Sequence, residues 1–171
     1  MTTKTLYEPK IAHEKGTEYV EWGAPGDVLF FPHVDSCCAL AVVMDDHSMV
    51  GGHVPLQWGG MEDMNAAGNM QKVYDLIDTA RRNHGGGRAV TGIIAVGPAH
   101  WTIPYGVILK DFDPTYSMEF PALRVDTQST KNGVDVTITS TGTGVVVEVQ
   151  DCTTQFIKTY PMPDDLENKT F

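Results

Sequence analysis

The sequence predicts one α+β domain, built on a central, mainly antiparallel β-sheet or sandwich with a single principal helix. Three observations carry that expectation. Cys38–Met44 is a continuous apolar run bounded by Asp45-Asp46, too short for a typical helix and suited to a strand buried on both faces. Met70, Val73, Tyr74, Ile77 and Ala80 recur at helical spacing, with Lys72, Asp75, Asp78 and Arg82 on the other side. The C-terminal part alternates apolar and polar residues between glycine-containing turns. A chain of 171 residues fits one domain spanning 1–171, large enough to fold without disulfides or a structural metal.

In chain order, residues 1–18 are polar and irregular and read as a flexible arm. Glu18–Trp22 and Asp27–Phe31 read as short strands around the turn Gly23-Ala24-Pro25-Gly26. Cys38–Met44 returns through Asp45-Asp46-His47-Ser48 into a partner strand, Ser48–Leu56. The helix, 69–84, takes Asn69 as its cap and stops at Gly85-Gly86-Gly87, where left-handed backbone is needed. Arg88–Gly97 reads as another buried strand, followed by His100–Leu109. Ala122–Ser129 and Val134–Ser140 flank Lys131-Asn132-Gly133, a hairpin signal because Asn-Gly tolerates positive φ. Thr141-Gly142-Thr143-Gly144 turns into Val145–Val149, Gln155–Tyr160 adds a last strand, and 161–171 reads as a flexible polar tail.

Formal net charge is -10, and lysine and arginine form no stripe. Binding to a phosphate backbone needs clustered positive charge, so nucleic acid is not an expected partner. An acidic surface serves solubility first, and a basic protein surface is the partner it suits. No stretch approaches the roughly 20 apolar residues of a membrane helix. Cys37, Cys38 and Cys152 make an odd count, and adjacent cysteines rarely pair, which fits free thiols in a reducing compartment. No Sec-type signal is visible, so the expected location is cytoplasmic, or outside the cell by a signal-less route. No cofactor or metal is expected, and the oligomeric state is left open.

Chemistry concentrates between Asp27 and His53. Cys37 stands where a loop enters the apolar strand, and His53 lies at the far end of its expected partner. A strand, a tight turn and an antiparallel return bring those ends to neighbouring positions about 4.8 Å apart. A thiol becomes a nucleophile when a base such as histidine removes its proton. Gly51-Gly52 before His53 leaves room for a substrate chain to approach. On spacing alone the plainer reading is the favoured one: small buried cysteines and a hydrogen-bonded strand histidine.

Asp27-Val28-Leu29, then Asp35-Ser36-Cys37-Cys38 with its apolar strand to Asp45, then Met49-Val50-Gly51-Gly52-His53-Val54-Pro55-Leu56 resembles the core of the CheD glutamine deamidases. The resemblance covers about thirty residues closely. It extends to the catalytic architecture of cytotoxic necrotizing factor and Burkholderia lethal factor. It implies Cys37 as nucleophile and His53 as base in a protein-glutamine deamidase, or a transglutaminase if an amine resolves the thioester. The implied partner is a protein carrying an exposed glutamine, and the implied oxyanion donors are backbone N–H groups around Ser36–Cys38. The chain departs from the family at four points. Asp35 replaces a glycine, and Phe31 stands where a histidine-orienting threonine is usual, leaving a carbonyl such as that of Phe30 or Pro32 to orient His53. The interval to His53 is one residue shorter, and an asparagine-containing motif after the helix and strand has no counterpart, which argues against a chemotaxis role.

Other residues enter as alternatives. Cys38 is the nucleophile if the register slips by one. His33 is a second base or a solvated loop residue, while His47 and His84 suit a turn and a helix end. Gln57-Trp58-Gly59-Gly60-Met61 offers a lip for substrate, and His100-Trp101 suits packing at the core edge. Two rival functions stand beside the deamidase. One is a binding domain of the same fold that has lost the chemistry, motivated by Phe31 and Asp35. The other is a cupin-type metal-binding β-barrel, motivated by Pro25-Gly26-Asp27-Val28-Leu29-Phe30-Phe31-Pro32 with His33 and His53 as ligands.

Overall fold

The structure, a computed structural model, describes residues 1–16, 18–58, 65–115, 119–128 and 130–171. It is an α+β domain of two mixed sheets and three helices. The first sheet runs β1 (Thr3–Thr5), β3 (Val28–Val34), β8 (Val134–Ser140), β9 (Val145–Asp151) and β10 (Ile157–Pro161) in spatial order. The second runs β11 (Leu166–Thr170), β7 (Ala122–Asp126), β6 (Val90–Gly97), β4 (Cys38–Met44), β5 (Met49–Val54) and β2 (Val20–Gly23). No helix among the described residues is long and apolar enough to cross a membrane.

The apolar run of β4 is central because both its faces are covered. Ala39, Ala41 and Val43 face the first sheet, with Leu29, Phe31, Val136 and Val147 in the same core. Cys38, Leu40, Val42 and Met44 face the helix side, with Val73, Ile77, Trp101 and Tyr105. A strand buried on both faces reads as continuous apolar sequence rather than an alternating one. The alternation of β8, by contrast, leaves Asp135, Thr137 and Thr139 half-buried opposite its core-facing valines and isoleucine.

The principal helix, α2 (Ala66–Gly85), lies over β5 and β2 on the helix side. Its cap is Asn65, whose side chain accepts from the Gly68 N–H at 2.9 Å. Asn69, the expected cap, instead donates to the carbonyls of Pro55 and Leu56 and so fixes the chain leaving β5. His100–Leu109 continues from β6 as a 3-10 turn (Ala99–Trp101) and a helix, α3 (Thr102–Leu109).

Three further expectations change. The described residues of the expected arm, 1–18, carry regular structure: β1 pairs in parallel with β3, Leu6 is fully buried, and α1 (Pro9–Lys15) follows. Residues 161–171 likewise include β11, which pairs in parallel with β7 along its length. Both segments are edge strands, held by backbone hydrogen bonds that need no apolar side chains. Lys131-Asn132-Gly133 turns the chain as expected, with Gly133 at φ +76°, but it does not close a hairpin. β7 belongs to the second sheet and β8 to the first, so the turn passes the chain between sheets. Ser129, the expected end of β7, lies outside the described residues.

Burial of Leu6 gives a direct check on the N-terminal segment. Leu6→Ala is expected to cost about 2–5 kcal/mol, the range for a buried leucine in a packed core. A urea midpoint unchanged from the parent chain would return residues 1–8 to the status of a loose arm.

Candidate active site

The β4–β5 hairpin sets the geometry. Its register pairs Ala39 with His53 and Cys38 with Val54. Ala39 and His53 therefore share the face toward the first sheet, and Cys37 stands in the bend immediately before β4. Cys37 lies just outside the ladder, so the two expected residues are not directly opposite partners. Cys38 takes the other face, fully buried in the helix-side core, with its thiol against the Ala39 carbonyl at 3.6 Å. Burial pushes that thiol up to about 12. A sealed, protonated sulfur has no path to a substrate, which leaves Cys37 as the exposed-side thiol.

His53 is held from a direction that the sequence did not suggest. Its Nδ1 lies 2.8 Å from the carbonyl oxygen of Leu6. A carbonyl only accepts, so Nδ1 carries the proton and Nε2 keeps a free lone pair. Nε2 is buried and has no hydrogen-bond partner among the described residues. Burial holds the imidazole below its ordinary pKa, against the opposing effects of the Leu6 hydrogen bond and the Glu8 charge. A neutral imidazole with an open lone pair is the form a general base requires. Phe31, which replaces the expected threonine, packs its ring 6.2 Å from the imidazole centroid and makes no polar contact there. The Phe30 carbonyl accepts from the Leu6 N–H at 2.8 Å, so it serves His53 through Leu6 rather than directly.

The thiol of Cys37 donates to Glu8 Oε2 at 3.4 Å, not to His53. Its pKa is pushed up to about 12, first by burial and then by the Glu8 charge and the hydrogen bond to it. The Leu56 N–H and the Ser36 hydroxyl oppose this by donating toward the sulfur. Glu8 is the residue that sequence reading missed. It lies in a segment whose pairing is backbone-directed, and a lone glutamate before a proline carries no catalytic signal.

The loop bearing Cys37 is pinned from below. Trp101 Nε1 and His100 Nε2 both donate to the Ser36 carbonyl at 2.8 Å. Gly97 passes so close that a Cβ there would stand 2.6 Å from the Cys37 carbonyl oxygen. His100-Trp101 is thus a support for the loop that bears Cys37 and more than edge packing. Asp35 is exposed and lies against Gly133. Gly51 and Gly52 are buried strand residues rather than a substrate entrance. A Cβ on Gly51 would meet Leu29 and Phe31 at 2.8 Å, and one on Gly52 would meet Val73 at 2.4 Å.

A cleft of about 750 Å³ opens over Cys37. Glu8, Lys10 and His13 form one wall, and Pro55–Trp58 the other. Trp58 is braced by Tyr19 edge-on at 5.5 Å and by the Lys72 ammonium 3.7 Å above its ring. Gln57 and Trp58 supply the expected lip, and Gly59–Met61 lie outside the described residues. His47 is bound at its turn to the Gly142 carbonyl, and His84 stacks on Trp22 at the end of α2. Among the described residues His33 gathers no metal-ligand group with His53, whose Nδ1 is bound to the Leu6 carbonyl, so the joint metal site of the barrel reading is not formed. The scan against family models finds no match, and no curated protein matches the chain.

Replacing Glu8 by glutamine removes a negative charge and a carboxylate acceptor from the Cys37 sulfur while leaving it buried. Both changes lower the thiol pKa from about 12, so more thiolate is present at any pH below that value. Glu8→Gln is expected to speed iodoacetamide labelling of Cys37 at pH 8 by about tenfold or more, one pKa unit's worth. An unchanged rate, read by peptide mass spectrometry, would show that Glu8 does not control the thiol.

Proposed function

We propose that this chain is a thiol-dependent protein-glutamine amidohydrolase, with Cys37 as nucleophile and His53 as base. The observation that carries the reading is the state of His53: Nδ1 committed to Leu6, and Nε2 buried and unpartnered among the described residues, on the strand that pairs with the one Cys37 precedes. The resemblance of the Asp27–Leu56 segment to the CheD-like deamidases supports the same assignment. The cleft suits one extended side chain and its flanking backbone, which fits a glutamine on an exposed loop of a partner protein.

In this reading the arriving carboxamide displaces the Glu8 carboxylate from the sulfur. His53 Nε2 takes the thiol proton as sulfur bonds to the carboxamide carbon. The tetrahedral oxyanion accepts from the Leu56 N–H and the Ser36 hydroxyl, the two donors already directed at the sulfur. His53 returns its proton to the departing nitrogen, ammonia leaves, and a thioester remains. Water then adds with His53 again as base, and collapse restores the thiol and releases glutamate. If an amine replaces that water, the same intermediate gives transglutamination. Glu8 at the sulfur places a carboxylate where the product glutamate would present its own.

The second reading, a binding domain of this fold without the chemistry, has one observation in its favour. With Glu8 in place the thiol is protonated throughout the physiological range.

Ammonia release from unfolded casein, a glutamine-rich probe, tests the reading. Cys37→Ser is expected to abolish release, and His53→Ala to reduce it by about 10²–10⁴-fold, the usual worth of a general base. Because His53 titrates below its ordinary value, the wild-type rate is expected to fall only on the acid side of about pH 6.5, as the imidazole gains a proton. Ammonia release that survives Cys37→Ser would overturn the mechanism. No release from either the wild type or Glu8→Gln would favour the binding domain.

A further inference from the structure

We propose that His33, Asp135 and Cys152 form a binding site for a divalent transition-metal ion of the zinc class. The ligand atoms of these three side chains all lie within 4.8 Å of one another, the only such group among the described residues. They come from three neighbouring strands of the first sheet. His33 is on β3, Asp135 on β8, and Cys152 immediately follows β9. The site stands apart from the Cys37 cleft, none of whose lining residues belongs to it.

The backbone is shaped to bring them together. β3 and β8 lose register between Phe31 and Val34, and His33 sits in that irregularity at φ +54°. A non-glycine residue in the left-handed region persists where its surroundings fix it. Here the fixing contact is the His33 N–H, which donates to Asp135 Oδ1 at 3.0 Å. The same oxygen accepts from the Cys152 thiol at 3.5 Å. Cys152 is held in turn by its N–H to the Gly133 carbonyl at 3.1 Å. Two of the three side chains thus share an oxygen already, and a strained backbone presents the third.

The donor set selects the ion. One imidazole nitrogen, one carboxylate oxygen and one sulfur suit zinc and its borderline neighbours, and not calcium or magnesium, which take oxygen ligands. Tetrahedral bonds of about 2.0–2.3 Å place ligand atoms about 3.3–3.8 Å apart, so the cluster closes by side-chain rotation of about 1 Å. On binding, the Cys152 S–H proton leaves to solvent and the ion takes the freed lone pair. Neutral histidine, aspartate and thiolate then balance a dication. Exposure of His33 leaves the fourth position to water. The bound ion would clip the ends of three strands beneath the loop that begins at Asp35 and carries Cys37.

The test uses the full chain without an affinity tag, in a Cys37→Ser background, stripped with chelator and titrated with Co²⁺. One equivalent is expected to bind with sulfur-to-cobalt charge-transfer absorption, and Zn²⁺ is expected to displace it. Cys152→Ser should abolish that absorption. His33→Ala and Asp135→Asn should each weaken binding about tenfold or more. His84→Ala, an exposed histidine elsewhere, should leave it unchanged. Zn²⁺ should also slow iodoacetamide labelling of Cys152 and raise the melting temperature, neither of which depends on cobalt spectra. The proposal is overturned by the absence of stoichiometric binding at micromolar Co²⁺. It is equally overturned by a charge-transfer band that survives Cys152→Ser, or by affinities unchanged in both His33→Ala and Asp135→Asn.

Discussion

The peptide groups of Leu6 are hydrogen-bonded on both sides, and the candidate site depends on that bridge. The Leu6 N–H donates to Phe30 in the first sheet, and its carbonyl accepts from His53 in the second. One residue therefore bridges the two sheets and chooses the imidazole tautomer. A buried histidine whose Nδ1 lacked this acceptor would hold an unsatisfied donor at a cost of about 1–3 kcal/mol. Burial of the Leu6 side chain fixes the carbonyl in place, so core packing and the protonation state of His53 are set by the same contact. Glu8 reaches Cys37 only because Leu6, two residues earlier, is anchored.

The thiol side of the cleft is organised by a second chain of contacts, starting from a buried cation. Arg124 on β7 donates to the carbonyls of Gly97, Pro98 and Val125. Hydrogen bonds from a charged donor contribute about 1.5–3 kcal/mol, more than neutral ones, and here they fix the turn that ends β6. That turn carries His100 and Trp101 under the Ser36 carbonyl. The backbone around Cys37 is thus held by groups distant in sequence. Loops that position a reactive group are commonly supported in this way by a rigid scaffold.

How much of this was legible follows the range of each interaction. The β4–turn–β5 unit was readable because its signal is local: an apolar run, a polar turn and a return of matching length place Ala39 beside His53. The α2 stripe was readable for the same reason, although the cap shifted from Asn69 to Asn65 because both asparagines precede good helical spacing. The Asn132-Gly133 turn specifies a backbone bend but says nothing of which sheet receives the next strand. β1 and β11 were invisible because edge strands pair through backbone groups, and their side chains stay half-buried or exposed. Glu8, Leu6 and the Arg124 chain all lie outside the Asp27–His53 segment, so no spacing rule connects them to Cys37. The His33, Asp135 and Cys152 cluster escapes for a further reason: its members are separated by 102 and 17 residues.

The electrostatics of the cleft explain why a protonated resting thiol is compatible with a nucleophilic role. A thiolate–imidazolium pair formed at Cys37 and His53 would put two charges in a site that is nearly closed to water. The desolvation cost of such a pair can exceed its mutual attraction. Glu8 adds a negative charge beside the sulfur, which disfavours the thiolate further while favouring the imidazolium. The neutral pair is accordingly the stable form with Glu8 present. Moving the carboxylate away removes a repulsion from the sulfur and opens a path to Nε2, which holds no competing hydrogen bond. In the proposed mechanism, proton transfer from Cys37 to His53 is coupled to bond formation, where the developing charge passes to the substrate oxygen and to the donors around it. Under the proposed function, the same carboxylate that suppresses the free thiolate would make occupation of the cleft the condition for chemistry.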